Sequence, residues 1–236
     1  MKLSPRMVTI LKHVPKQLKV ADIGTDHGFI PIYLALQNLS NYIVASDVKQ
    51  GSLNKAIKEV KKYNLEKMID LRLGSGLSVL KKGEVDVAII AGMGGILISE
   101  ILQKDEEIAK TINKFILQPM KSSNFLRKFL YKNGYKIINE DLVKEKNKFY
   151  EIIIAEHGCQ KCKDEIYCEV GEPLIKNNHI LLNEFIQYKI DKLKNIIINM
   201  PSERRTERYN ELVLKLERYE VLLNELKMSD NSFNDG

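Results

Sequence analysis

The chain has 236 residues, 44% of them hydrophobic and 29% charged, which suits one full domain with a smaller appendage, or one large domain. No apolar run approaches the roughly 20 residues of a membrane span, residues 1–6 lack the apolar core of a signal peptide, and three cysteines exclude a disulfide scaffold. A soluble, cytoplasmic protein is the expectation. Lysine and arginine number 37 against 31 acids, a net charge of +6. The excess is uneven, because residues 1–170 hold 27 basic and 20 acidic groups and residues 171–236 hold 10 and 11. A basic first domain fits a polyanion such as nucleic acid, although a lysine-rich, solubility-driven surface accounts for the same balance.

In chain order, residues 3–14 read as a helix ended by Pro15, and residues 19–23 as an apolar strand running into Gly24. A helix over 29–39, a strand over 42–47 ending in Asp47, and a helix over 51–63 follow. The third strand, 69–73, stops at Gly74-Ser75-Gly76, and the fourth, 85–90, stops at Gly92-Met93-Gly94-Gly95. A helix over 96–102, a strand over 114–118 and a helix over 124–131 come next, then strands over 135–142 and 149–155 joined by Lys144-Glu145-Lys146-Asn147-Lys148. Strands alternating with helices imply a parallel sheet covered on both faces, and near-continuous apolar strands agree. With an antiparallel hairpin at one edge, this α/β pattern is the Rossmann-like outline of the class I methyltransferase fold.

After residue 155 the pattern changes. Residues 180–200 and 203–227 read as two helices joined near Pro201-Ser202. In the second, Tyr209, Leu212, Leu216, Tyr219, Leu223 and Leu226 form a heptad seam. The first carries a looser one, Leu181, Phe185, Tyr188, Leu193, Ile196 and Met200. An antiparallel coiled-coil hairpin is expected, with Ser202 and Glu203 to Thr206 as N-terminal caps. The domains expected are a methyltransferase domain over 1–157, a helical hairpin over 158–228, and a disordered tail over 229–236. The hairpin satisfies its own seam, which predicts a monomer and leaves a dimer open.

Ligands of open parallel sheets bind beyond the carboxyl ends of the strands. The first such turn is Asp22-Ile23-Gly24-Thr25-Asp26-His27-Gly28. A dinucleotide fingerprint has a second glycine where Asp26 stands, and a carboxylate there repels a pyrophosphate. It suits a cationic amine or ribose hydroxyls, which favours S-adenosylmethionine over NAD or FAD. Asp47 is placed for ribose hydroxyls, and Gly74-Ser75-Gly76 offers thin backbone beside an adenine. Each turn alone is a common loop; the three in order at strand ends carry the weight. Beyond the fourth strand there is no Asn/Asp-Pro-Pro-aromatic grip for an exocyclic amine. A ring nitrogen with an in-plane lone pair is therefore the expected acceptor, since it needs no prior deprotonation.

The segments 18–28, 71–77 and 85–97 together resemble the bacterial tRNA adenine-N1-methyltransferase family TrmK, which methylates adenine 22 in the D-arm region of tRNA. The resemblance covers the whole chain, and its Asp-Ile-Gly-Thr-Asp-His turn with Ala-Gly-Met-Gly-Gly is specific. It implies a cofactor pocket lined by Asp22, Gly24, Asp26, His27, Asp47, Gly74, Ser75, Gly76, Gly92 and Met93, with S-adenosylhomocysteine as product. Asp47 stands where members often have Glu. Asp26 is the candidate catalytic residue, contacting the adenine or balancing developing charge, with a purely cofactor-holding role as the plain alternative. His27 reads as a hydrogen-bonding wall rather than a base. The target base must be unpaired or flipped out. Tyr33, Phe125 and Tyr131 could stack on it, although aromatics at helical spacing belong more often to a core.

Arg204, Arg205 and Arg208, at the tip of the expected hairpin, could clamp tRNA phosphates or simply form a solvated turn. Cys159-x2-Cys162, with Cys168 and His157 near, has one zinc-like spacing, but the rest are irregular, so reduced thiols and no metal are expected. The competing functions are a methyltransferase on another RNA position or a small molecule, an inactive RNA-binding adaptor, and a dinucleotide oxidoreductase.

Overall fold

The structure, a computed structural model, describes residues 3–200 and 207–232. The chain divides into two compact units, Met1–Lys163 and Asp164–Gly236. The first begins with α1 (Pro5–Lys12), whose N-cap Ser4 side chain accepts from the Met7 amide. There follow β1 (Val20–Ile23), α2 (Phe29–Leu36), β2 (Ile43–Asp47), α3 (Gln50–Lys62), β3 (Ile69–Leu73), β4 (Val87–Met93), α4 (Gly95–Lys104), α5 (Glu106–Ala109), β5 (Lys114–Pro119), α6 (Ser123–Lys132), β6 (Tyr135–Glu145) and β7 (Lys148–His157). The seven strands form one sheet in the order β3-β2-β1-β4-β5-β7-β6. The first five are parallel, and β7 enters antiparallel beside β5. The Rossmann-like sheet and its hairpin edge follow the sequence reading.

The inner strands β1, β2, β4 and β5 are largely apolar because helices cover both faces. A two-residue period sorts their side chains. Ala21, Ile23, Ala88, Ile90, Phe115 and Leu117 pack with Ile98 and Leu102 of α4 and Leu126 and Leu130 of α6. Val20, Ile43, Ala45, Val87, Ile89 and Ile116 pack with Ile10 of α1, Ile32 of α2 and Val60 of α3. The same period puts Asp22 and Gln118, both buried, on the α1 side of the sheet.

In the strands and short helices, three features differ from the sequence reading. The β6–β7 ladder runs to Glu145↔Lys148, leaving only Lys146 and Asn147 as the turn, with Lys146 at φ 54°. The charged residues that suggested a loop are tolerated there because β6 is an edge strand, where charge guards against further pairing. Secondly, β4 continues past Gly92, since Met93 still pairs with Pro119 beyond a bulge. Thirdly, a 3-10 turn at Gly76–Val79, α5, and the helices α7 (Glu165–Val170) and α8 (Glu172–Lys176) are too short to show a period.

The second unit holds α7, α8, α9 (Leu182–Ile198) and α10 (Glu207–Ser232). Helix α10 extends past the expected end at residue 227. Its predicted seam is the sheltered side: Tyr219 and Leu223 are buried and Leu214 and Val221 are exposed. In α9 the buried stripe is Leu182, Phe185, Ile186, Ile190 and Leu193, and Ile196 is exposed. The predicted stripe slipped because Ile190, not Tyr188, carries the helical period to Leu193. The buried Glu169 joins three helices: its carboxylate accepts from Lys215 Nζ at 2.6 Å and Tyr219 Oη at 3.2 Å, and its carbonyl from Lys189 Nζ at 2.8 Å. Arg204, Arg205 and the Ser202 to Thr206 caps lie outside the described residues. Among those described, no helix is long and apolar enough to cross a membrane.

A buried ion cluster ties α6 to the hairpin. Arg127 donates from Nε to Glu140 Oε1 at 2.6 Å and from Nη2 to Glu151 Oε2 at 2.6 Å, while Ser123 Oγ donates to Glu151. Burial alone lowers the guanidinium's pKa, but the two carboxylates hold it above its ordinary value. Removing the cation strands two carboxylates in the core. Arg127→Ala should therefore cost about 3–5 kcal/mol of stability, read as a fall in the urea midpoint, with Arg127→Met recovering none of the charge compensation.

Candidate active site

Two clefts open where β1 and β4 end. The larger, about 410 Å³, is lined by Gly24, Asp26, Asp47, Gly74, Ser75, Gly76, Gly92 and Met93, among others. Eight of the ten residues anticipated around a cofactor thus share one cavity. The other two lie elsewhere. Asp22 faces the second cleft, about 310 Å³ and on the α1 side of the sheet, as the period of β1 requires. His27 lines neither. Its ring stacks on Phe29 at 5.3 Å, and its Nε2 lies 3.6 Å from Asp26 Oδ2. The clefts share Gly24, Asp26, Ala91 and Gly92.

Backbone geometry shapes the first turn. Gly24 has φ +84°, and a Cβ there would sit 2.4 Å from Met93 Cε. Asp26 adopts φ 45°, a left-handed conformation that aspartate tolerates better than most residues. Its side chain is 63% exposed at the edge of the cleft, with His27 Nε2 as its neighbour at 3.6 Å. Asp47 is fixed by two backbone amides, from Lys49 to Oδ1 at 2.7 Å and from Asp26 to Oδ2 at 3.3 Å. One carboxylate therefore sets the spacing of two loops.

The turn after β4 is pinned to the turn after β5. Gly95 N donates to Lys121 O at 2.8 Å, and Met120 N to Met93 O at 2.7 Å. A Cβ on Gly95 would fall 2.3 Å from Ser122 O, so only glycine permits this approach. The third wall is held by Asp105, whose Oδ2 accepts from Leu77 N and Ser78 N beneath Gly76.

A family model described as tRNA (adenine(22)-N(1))-methyltransferase, TrmK, matches residues 20–221. The chain belongs to the TrmK family. Over 158 residues it is 38% identical to the tRNA (adenine(22)-N(1))-methyltransferase of Bacillus subtilis, an alignment spanning 67% of this chain and 66%, just under two thirds, of that relative. A Streptococcus pneumoniae protein solved in complex with S-adenosyl-L-methionine superposes with a TM-score of 0.85 at 29% identity, covering 94% of this chain and 100% of the other. Mycoplasma capricolum TrmK, solved with S-adenosyl-homocysteine, gives 0.81 at 26% identity over 95% and 99%.

The sequence reading missed several residues that line the two clefts of this TrmK family member. Val48, Lys49, Ser52 and Leu97 line the larger cleft, and Arg6, Met7, Phe29 and Met120 the smaller. Val48 carried a usable signal, since it is apolar directly after the strand-ending Asp47 and is exposed, whereas Leu97, inside α4, carried none. Arg6 and Met7 carried none, because nothing local ties α1 to the end of β4. Among the described residues no group of three His, Cys, Asp or Glu side chains is placed to hold a metal.

Burial pushes the Asp22 carboxyl up to about 6. The Thr25 hydroxyl, close by but not in a normal hydrogen bond, opposes the rise, and the Asp47 charge adds to it. In the unfolded chain the group returns to its ordinary 3.8. Between these values the folded state binds more protons, so stability falls as pH rises, and the loss is complete above about 6. Asp22→Asn should accordingly be neutral near pH 3.5 and stabilising by up to about 3 kcal/mol at pH 7. Urea midpoints across that range check this.

Proposed function

We propose that the chain transfers the methyl group of S-adenosylmethionine to N1 of adenine 22 in the D-arm region of tRNA, with S-adenosylhomocysteine as product. Membership of the TrmK family supports the reaction and the tRNA substrate. The observation that carries the cofactor is the donor set of the larger cleft. Asp26 and Asp47 present acceptors where a diphosphate would need a cradle of amides. When bound, S-adenosylmethionine supplies an electrophilic methyl on a sulfonium, which the in-plane lone pair of adenine N1 takes up with no proton to remove first.

The residues divide the work. Asp47, already oriented by two amides, has lone pairs left for the ribose hydroxyls. Gly74, Ser75 and Gly76 bring bare backbone along one side of the cleft, with Val48 and Leu97 as its apolar cover. Gly92 and Met93 close it at the acceptor end. Asp26 borders both clefts. There its carboxylate can accept from the adenine N6 amine and balance the positive charge that passes to the purine. His27, beside Asp26, orients that carboxylate.

We read α9 and α10 as an antiparallel coiled-coil hairpin, a reading supported by the seam spacing and by buried Tyr219 and Leu223. Its tip, with Arg204, Arg205 and Arg208, is the proposed phosphate clamp. The same reading gives a cytoplasmic monomer with a methyltransferase domain over 1–157 and a hairpin over 158–228.

Methyl transfer to bulk tRNA from a strain lacking this gene, followed by mapping of the modified nucleoside, tests the function. N1-methyladenosine at position 22 is expected, and methylation elsewhere or none overturns it. Asp47→Ala should weaken S-adenosylmethionine binding by calorimetry roughly tenfold, the scale of lost hydrogen bonds to a charged group. Asp26→Ala should keep most of that affinity and lose turnover; full turnover would reject its catalytic role. Reversing Arg204, Arg205 and Arg208 to Glu should weaken tRNA binding and flatten its salt dependence.

A further inference from the structure

An acceptor base needs a place of its own, and beyond Asp26 the smaller cleft has walls that the reaction as described leaves without a role. We propose that this cleft receives the target adenine and that Gln118 is the positioning residue for its walls, an inference that rests on the methyltransferase reading. The two clefts meet along Gly24, Asp26, Ala91 and Gly92. Apart from Asp26, that partition is little more than backbone. A ring on one side and a methyl group on the other can therefore approach without a bulky side chain between them.

The walls match a purine. Met7 and Ile10 of α1, Phe29 and Ile30 of α2, and Met120 supply apolar surface for its flat faces. The polar groups, Asp22, Asp26 and Arg6, suit its edges. A carboxylate accepts from the N6 amine of adenine and repels the O6 carbonyl that guanine carries at the same place. Purine discrimination thus follows from the charges at hand. Arg6 and Met7 precede residue 20, where the family match begins, so this site recruits a helix outside the matched segment.

Gln118 connects the parts. It occupies a position on the α1 side of β5 where its neighbours in the strand, Phe115, Ile116 and Leu117, are apolar, and it is wholly buried. Its Oε1 accepts from Gly92 N at 3.2 Å and from Arg6 Nη1 at 3.2 Å. Its Nε2 is anchored on Pro119 O at 2.9 Å. One buried amide oxygen thus fixes both the partition between the clefts and the cation at the side of the smaller one. Arg6 is further held by Met120 Sδ at 3.0 Å and by the Tyr150 ring at 4.9 Å. A guanidinium has five N–H donors, and those not engaged here remain for a phosphate beside the extruded nucleotide.

The test fills the cleft without touching the other. Met120→Trp, at a half-exposed position, and Met7→Trp should bind S-adenosylmethionine within about twofold of wild type yet lose at least roughly a hundredfold in single-turnover methylation of tRNA, as expected when the acceptor cannot be positioned. Gln118→Met keeps the length and removes the amide. It should lower kcat about tenfold with cofactor affinity unchanged. Arg6→Ala should raise the KM for tRNA, with Arg6→Lys restoring part of it. Filled variants that melt like wild type and methylate at its rate overturn the proposal, as do filled variants that lose the cofactor together with transfer. Failure of the wild-type chain itself to methylate tRNA would instead remove the methyltransferase reading beneath it.

Discussion

A sheet covered on both faces leaves almost nowhere to put a polar group. Along β1, β2, β4 and β5 the interior is aliphatic or aromatic, and polarity enters only where the strands end. Asp22, Asp47 and Gln118 all sit within that last turn of backbone, and each is buried. Desolvation there must be met by hydrogen bonds or by a changed protonation state. Asp47 takes the first course, with two amides on its carboxylate. Gln118 does the same, with Gly92, Arg6 and the Pro119 carbonyl. Asp22 lacks enough donors, and its burial shows instead as a carboxyl that keeps its proton up to about pH 6. The chemistry of the chain follows from these three different answers to one constraint.

The site is braced by contacts that lie outside it. Arg127, with Glu140 and Glu151, secures α6 to the hairpin, and α6 begins directly after the turn that carries Met120 and Lys121. That turn is bonded to the loop after β4 through Gly95 and Met93. An ion cluster on one side of the sheet therefore reaches the wall shared by the two clefts through short covalent and hydrogen-bonded steps. Asp26 is the exception to this bracing. It is held in a left-handed backbone with its carboxylate largely in solvent, as befits a group that must meet something not yet present.

Most of the architecture could be read from residue order. Five strands, most of them apolar and most separated by helices, two strands without a helix between them, and turns such as Gly74-Ser75-Gly76 were visible because each signal is local. The cleft residues Gly24, Asp26, Asp47 and Gly92 were legible for the same reason: each directly follows or ends a strand. What escaped was anything decided by packing across the sheet. Arg6 meets Gln118 only because α1 packs on β6 and β7 and so brings its first turn to the end of β5, and no spacing in the chain records that. Tyr188 fitted a seven-residue template in α9, but Ile190 is buried instead, since the real contact follows the helix rather than the template. His27 stood inside the same motif and yet lines neither cleft, resting instead against Phe29 and Asp26.

The order of the last two strands has a consequence for synthesis. β7 lies inside the sheet and β6 at its border, so the final strand of the unit to be made is also the one that covers β5. Until residues 148–157 have left the ribosome, the flank formed by Phe115, Ile116 and Leu117 is an open ladder with unpaired amides and carbonyls. A nascent chain in that state is prone to adhere to other strands, and release from this exposure comes in one step when the hairpin folds back.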